Sequence, residues 1–219
     1  MSATAALGAF GLQADEAEFE DIAGRLYPEL AKIAQRTGGA GEAAKRLEQP
    51  SPSSREAKKL LYLAIRALKP EIAVETGPFN GAATAFLLQA LADNGAGRLL
   101  SFDLPDAADA LNVPLPAGSQ PGWLVPERLR DRFELVLGDT RKTLRARLAT
   151  EPPIDFFLHD SLHTARQMLF EYRVAWRRLR SGGLLLSDDV SWNRAFWAFT
   201  KVHRVEFQQV GEVGVTQKP

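Results

Sequence analysis

The chain contains no cysteine. That excludes disulfides, a thiolate zinc site, iron–sulfur ligation and a cysteine nucleophile. It has no surplus of charge: 27 Lys and Arg face 27 Asp and Glu among 219 residues. Nucleic-acid binders usually carry a basic excess, so no nucleic acid is expected as a partner. No apolar run reaches the roughly 18 residues of a membrane-spanning helix. The small, apolar start lacks the basic segment of a signal peptide. These absences point to a cytoplasmic protein with no membrane partner. Its 45% hydrophobic and 25% charged residues suit a packed globular core.

What the sequence does have is alternation. Phe19, Ile22, Leu26, Leu30 and Ile33 recur at helical spacing and predict a helix over 16–36. Residues 1–15 read as frayed and 38–52 as a linker. Ser53 to Glu56 has a capping-box pattern, opening a helix that Lys69-Pro70 ends. From Glu71 onward short apolar strands alternate with helices. Strands are expected at 72–75, 98–103, 133–137, 154–158 and 184–186. Helices are expected at 81–92, 140–148 and about 168–179, the last stopped by Ser181-Gly182-Gly183. An aromatic helix near 193–202 and a hairpin around Gly211 follow.

This pattern predicts an α/β fold, a Rossmann-like doubly wound sheet, mostly parallel, with a C-terminal antiparallel hairpin and seven strands in all. The expected division is an N-terminal helical extension and linker at 1–52 and a domain at 53–219. Residues 104–127 hold five prolines and no periodicity. A loop of that length in a compact domain is often functional.

Ligands of such sheets bind beyond the carboxyl ends of the strands. Each expected parallel strand delivers acid to that edge: Glu75, Asp103, Asp139, Asp160, and Asp188 with Asp189. Helix capping is the competing explanation, strongest for Asp139. The first strand runs into Glu75-Thr76-Gly77-Pro78-Phe79-Asn80-Gly81. Its Gly-x-x-x-Gly spacing is neither the Gly-x-Gly-x-x-Gly of nicotinamide binders nor a P-loop. An acid before the turn would repel a pyrophosphate, whereas an acid ending the second strand suits ribose hydroxyls. An adenosyl ligand with an ammonium group and no phosphate fits both.

The stretch from Val74 to Thr84 resembles motif I of class I S-adenosylmethionine-dependent methyltransferases. The stretches from Phe157 to Thr164 and from Gly182 to Val190 resemble one branch of them, methyltransferase family 24. The resemblance covers about residues 55–216. It implies S-adenosylmethionine as cofactor, bound by Glu75, Gly77, Phe79, Asn80, Gly81, Thr84, Asp103, Asp139, Thr140 and Asp160, with Asp160 also near the transferable methyl. It implies a divalent metal such as Mg²⁺ as an option, held by Asp160, Asp188 and Asp189, which would acidify substrate oxygens.

His163 is the candidate general base. His159 should face the other side of its strand and be packed, and Asp155 should be structural. Trp192, Asn193 and Trp123 are candidates to cover a ligand. The expected function is methyl transfer to a small molecule, at oxygen. The alternative is a non-catalytic domain that keeps the fold as a binding or interaction scaffold. A homodimer is left open.

Overall fold

The computed structural model describes residues 1–38, 40–106 and 114–219. The strands are β1 (Ile72–Thr76), β2 (Arg98–Asp103), β3 (Phe133–Leu137), β4 (Ile154–His159), β5 (Leu179–Ser187), β6 (Phe207–Val210) and β7 (Val213–Gln217). They form one seven-stranded sheet in the order β3-β2-β1-β4-β5-β7-β6. β1 to β5 run parallel, and β7 pairs antiparallel with both β5 and β6. This is the doubly wound, Rossmann-like sheet with a C-terminal hairpin that the alternation predicts.

The central strands β1 and β4 are buried along their whole length because helices cover both faces. Successive residues alternate between the two sides. Ala73, Phe156, Leu158, Leu184 and Leu186 join the core under α1 (Ala3–Gly8), α2 (Glu16–Arg36), α3 (Gly41–Glu48), α4 (Pro52–Leu68) and α5 (Ala82–Asp93). Val74, Phe157 and Leu185 join the opposite core under α6 (Thr140–Ala149), α7 (Ala165–Arg178) and α8 (Ala195–His203). Each fully buried Leu or Phe contributes about 2 kcal/mol of transfer free energy.

Four local expectations are corrected. Residues 1–15 are not frayed throughout: α1 is capped by Ser2, buries Ala3, Ala6 and Leu7, and packs on α4 and β6. A helix this short has little stability of its own and is held by that packing, so periodicity does not reveal it. The linker at 38–52 contains α3, which buries Ala44 and Leu47 and packs on α2. The cap of α4 is Ser51, whose hydroxyl accepts from Ser54 N at 3.2 Å, with Pro52 in the first turn. The Ser53–Glu56 pattern therefore lies inside the helix. Ser181-Gly182-Gly183 does not stop α7, which ends at Arg178; it lies within β5, beside a register irregularity opposite Ile154 and Phe156. A side chain at Gly183 would meet the Asp155 carbonyl at 2.8 Å, so the glycine answers a close backbone approach.

Of the 104–127 segment, residues 107–113 lie outside the described residues. Its return docks on the turn after β1: Gly122 N donates to Phe79 O at 2.7 Å and Leu124 N to Asn80 O at 2.9 Å. Among the described residues, no helix is long and apolar enough to cross a membrane.

Candidate functional site

The strand order reverses between β1 and β4, the place where doubly wound sheets bind ligands. The turn after β1 forms one wall. Gly77 has φ +81°, and a Cβ there would sit 2.1 Å from the Asp160 carbonyl oxygen. The ends of β1 and β4 thus touch backbone to backbone, and Asp160 N donates to Thr76 O at 2.9 Å. Phe79 is held at φ +46°. Its N–H donates to Asp103 Oδ2 at 2.9 Å, while Asp103 Oδ1 accepts from Leu104 N at 2.8 Å. Burial pushes the Asp103 carboxyl up against these two bonds. Asn80 Oδ1 accepts from Ala82 N, the first N–H of α5, at 2.9 Å. Gly81, at φ +90°, lies directly against Gly122.

Glu75 is fully buried and accepts from Ser101 at 2.7 Å and from Thr84 at 3.0 Å. Burial outweighs those bonds and pushes its carboxyl up to about 7. Thr84, expected to line the cofactor, is also fully buried and spends its hydroxyl on Glu75. Asp139 caps α6 by accepting from Arg141 N at 2.9 Å, the competing explanation given above. The Thr140 hydroxyl donates to Glu171 at 2.7 Å.

Glu171 on α7 is a hub that the sequence reading did not single out. Its buried carboxylate also accepts from Thr76 at 2.6 Å, from Gln167 at 2.7 Å and from Ser161 at 3.0 Å, and lies 2.6 Å from His159 Nδ1. Burial favours its neutral form, but the bonds from His159, Thr76 and Thr140 prevail and hold it below the usual carboxylate range. His159 is fully buried there, packed as expected. The hub ties the ends of β1, β3 and β4 together from beneath.

The second wall is built by β4 and β5. His159 pairs with Ser187, which brings Asp160 beside Asp188. One ligand atom each from Asp160, His163 and Asp188 lie within 4.8 Å of one another. His163 Nε2 is 3.7 Å from Asp160 Oδ1, and its Nδ1 is 3.6 Å from Asp189 Oδ2. Asp189 sits at φ +51°, outside that trio. Burial and the Asp188 charge push Asp160 well up; the same causes push Asp189 up to about 6. Burial and His159 push His163 down to about 4, so its ring is neutral at pH 7.

Trp192 stacks near His163 with ring centroids 5.4 Å apart and is exposed. Asn193 donates to the His163 carbonyl at 3.1 Å and accepts from Ala195 N, the first N–H of α8, at 2.8 Å. Trp123 packs against the core on the α1–α5 side, with a buried Nε1 that finds no partner among the described residues. Asp155 is structural: it accepts from Glu71 N and Ile72 N and pairs with Arg180.

The sequence pattern described as "Methyltransferase domain" matches residues 74–190, which span both walls. The chain belongs to this methyltransferase family. No curated protein sequence matches it. Solved structures share its fold. The O-methyltransferase TomG from Streptomyces achromogenes, in complex with SAM, matches at TM-score 0.59 and 18% identity, over 87% of this chain and 90% of its own. An O-methyltransferase from Bacillus cereus, in complex with SAH, matches at TM-score 0.61 and 18% identity, over 87% and 91%. A methyltransferase from Geobacter sulfurreducens matches at 0.57 and 21%, over 87% and 88%.

The residues of this methyltransferase domain fit a divalent ion. Two carboxylates and a neutral imidazole are an apt donor set, and His163 Nε2 is buried with no hydrogen-bond partner among the described residues. A further group at the site escaped the sequence reading. Lys58, on α4, interacts across space with Asp160 and Asp188.

Proposed function

We propose that this chain is an S-adenosylmethionine-dependent methyltransferase that acts on a small molecule, at oxygen, with assistance from a divalent metal. The observation that carries the reading is the trio of Asp160, His163 and Asp188 beside the glycine turn, at the switch point of a methyltransferase-family sheet.

The cofactor, when bound, supplies an electrophilic methyl group on a sulfonium. Asp103, at the end of β2, is placed to accept the ribose hydroxyls, and Gly77, Phe79, Asn80 and Gly81 shape the wall against which the nucleoside lies. Glu75, when ionised, contributes negative potential for the cationic part, while Asp139 and Thr140 border the adenine end. Asp160 stands where β1 and β4 touch, at the junction of donor and acceptor. Transfer is an in-line displacement, so positioning of the two groups is the main task of the protein.

A divalent metal, when bound by Asp160 and Asp188, would lower the pKa of the acceptor hydroxyl. His163 has two duties. In the metal-free cluster its neutral Nε2 accepts the acceptor's proton; with a metal bound the same nitrogen would be a third ligand, and Asp189 would steady the ring from Nδ1. Asp189 was expected to be a ligand itself; its distance to the ring favours this supporting place. Trp192 is positioned as a cover over His163. Residues 53–219 carry all these groups, and the 1–52 extension backs them.

Calorimetric titration of S-adenosylmethionine and S-adenosylhomocysteine, first with Mg²⁺ and then with EDTA, tests the reading. Binding in the micromolar range, about −8 kcal/mol, is expected for both. No binding of either compound under both conditions would overturn it.

A further inference from the structure

Lys58 is a cation set in the mouth of a site crowded with acids, yet it pairs with none of them. Among the described residues no carboxylate lies within 4.0 Å of its ammonium. Nζ donates to Ser54 Oγ at 2.6 Å and reaches the Ser54 carbonyl at 3.5 Å. At least one of its three N–H donors is left for something else.

Two features of the fold aim it at the acids. α4 ends at Leu68 and β1 begins at Ile72, so α4 runs antiparallel to β1 and starts above the carboxyl edge. About 15 Å of helix separates Lys58 from the end of α4, and β1 spans about 16 Å. Lys58 is therefore level with the strand ends. Alternation along β4 and β5 then sends Asp160 and Asp188 to the side of Leu158 and Leu186, the side that α4 covers. Across that gap burial disfavours the ammonium, while the Asp160 and Asp188 carboxylates favour it. Lys58 in turn favours ionisation of Asp160.

We propose that Lys58 is the resident counter-ion of the Asp160–Asp188 pair, so that a divalent cation occupies the cluster in competition with its ammonium. The inference rests on the methyltransferase reading, which it deepens by assigning the charge balance of the same site. The ammonium is anchored through Ser54 on a helix, so an incoming ion meets its repulsion. After screening by water and the surrounding carboxylates, that repulsion weakens the ion's binding by about tenfold. In the metal-free cluster the ammonium is the cation that faces the acceptor oxygen and favours loss of its proton.

The test is calorimetric titration of Mn²⁺ alone into the full-length protein and into Lys58→Met, Lys58→Gln and Lys58→Arg. Met and Gln remove the charge and should tighten Mn²⁺ binding about tenfold. Arg keeps the charge and should stay within about twofold of the parent. Gln retains a hydrogen bond to Ser54 and carries the test if Met does not fold. Neutral variants that bind Mn²⁺ no tighter overturn the proposal. So does an Arg variant that tightens as much as Met, because shape would then be responsible, and so does absence of Mn²⁺ binding in all four proteins. S-adenosylhomocysteine titrated into the same samples separates the two readings. Parent protein that ignores the nucleoside while the neutral variants tighten on Mn²⁺ removes the methyltransferase reading and supports the counter-ion. Parent protein that binds the nucleoside with Mn²⁺ affinity indifferent to Lys58 removes the counter-ion alone.

Discussion

The two halves of the carboxyl edge use the same residue type and differ in what it touches. On the β1–β3 half, Glu75, Asp103 and Asp139 each accept hydrogen bonds from neighbouring hydroxyls or backbone N–H groups. On the β4–β5 half, the side chains of Asp160, Asp188 and Asp189 accept none from the described residues and crowd together around His163. A satisfied acid is framework, whereas partly buried acids held close and unpaired store repulsion that a cation relieves. On the proposed reading, the contrast separates the half that shapes a nucleoside cleft from the half that handles charge.

Substitutions at the four corners of this contrast should give effects of descending size. Asp160→Ala should reduce turnover of an accepted substrate by about 10³-fold or more, the loss typical of a group that acts on developing charge. Its affinity for S-adenosylhomocysteine should change little, and its melting temperature should rise as like charges are separated. Unchanged turnover would remove Asp160 from the reaction.

Glu171→Ala should break the contrast itself, because this carboxylate joins Thr76 and Thr140 on one half to Ser161 and His159 on the other. Leaving those buried donors without an acceptor should lower stability by about 4 kcal/mol, readable as a shifted urea midpoint. Nucleoside and metal affinity should fall together; a fall in only one would show that the hub serves that half alone.

Glu75→Gln sharpens the framework side through pH. The carboxyl of Glu75 is pushed up to about 7 from 4.5. The folded state therefore holds a proton that the unfolded chain releases, and this contribution is complete below about pH 4.5 and lost as pH rises through 7. The glutamine variant should gain on the parent protein between pH 5 and pH 8, by up to about 3 kcal/mol. Thermal melts across that range check it, and a difference that stays flat with pH would remove Glu75 as the cause. The smallest effect belongs to Asp103→Ala. Nucleoside binding should weaken by about tenfold, or 1.4 kcal/mol, with Mn²⁺ affinity untouched. Equal losses of both would mean that the two halves are not separable.

The sheet was legible because strands covered on both faces are continuous apolar runs, and those between Ile72 and Leu186 stand out from the helices around them. The glycine turn and the acids of the edge were legible for the same reason: they mark the places where the runs stop. Three kinds of feature were not. α1 and α3 are short and owe their existence to partners, so their own residues do not announce them. Ser181-Gly182-Gly183 has the composition of a helix stop, and only the approach of the Asp155 carbonyl shows that it accommodates a strand. Lys58 looks like any solvated lysine of an amphipathic helix until the fold sets the start of α4 over the ends of β4 and β5. The positions of Asp189 and His163 belong to the same class, since a left-handed backbone at residue 189 cannot be read from Asp-Asp.

The contact between Gly77 and the Asp160 carbonyl has a consequence for how such a domain diversifies. Because a single added carbon at residue 77 would lie 2.1 Å from that oxygen, the walls built at the ends of β1 and β4 are held as one block. A shift in either is felt at once by the other, and selection has no way to tune them apart. On the proposed reading, new acceptors must be accommodated by parts that drape over the block: the opening turns of α4, residues 114–127 and the stretch from Val190 to Arg194. Variation among relatives should concentrate in those drapes, while the seam beneath them stays fixed.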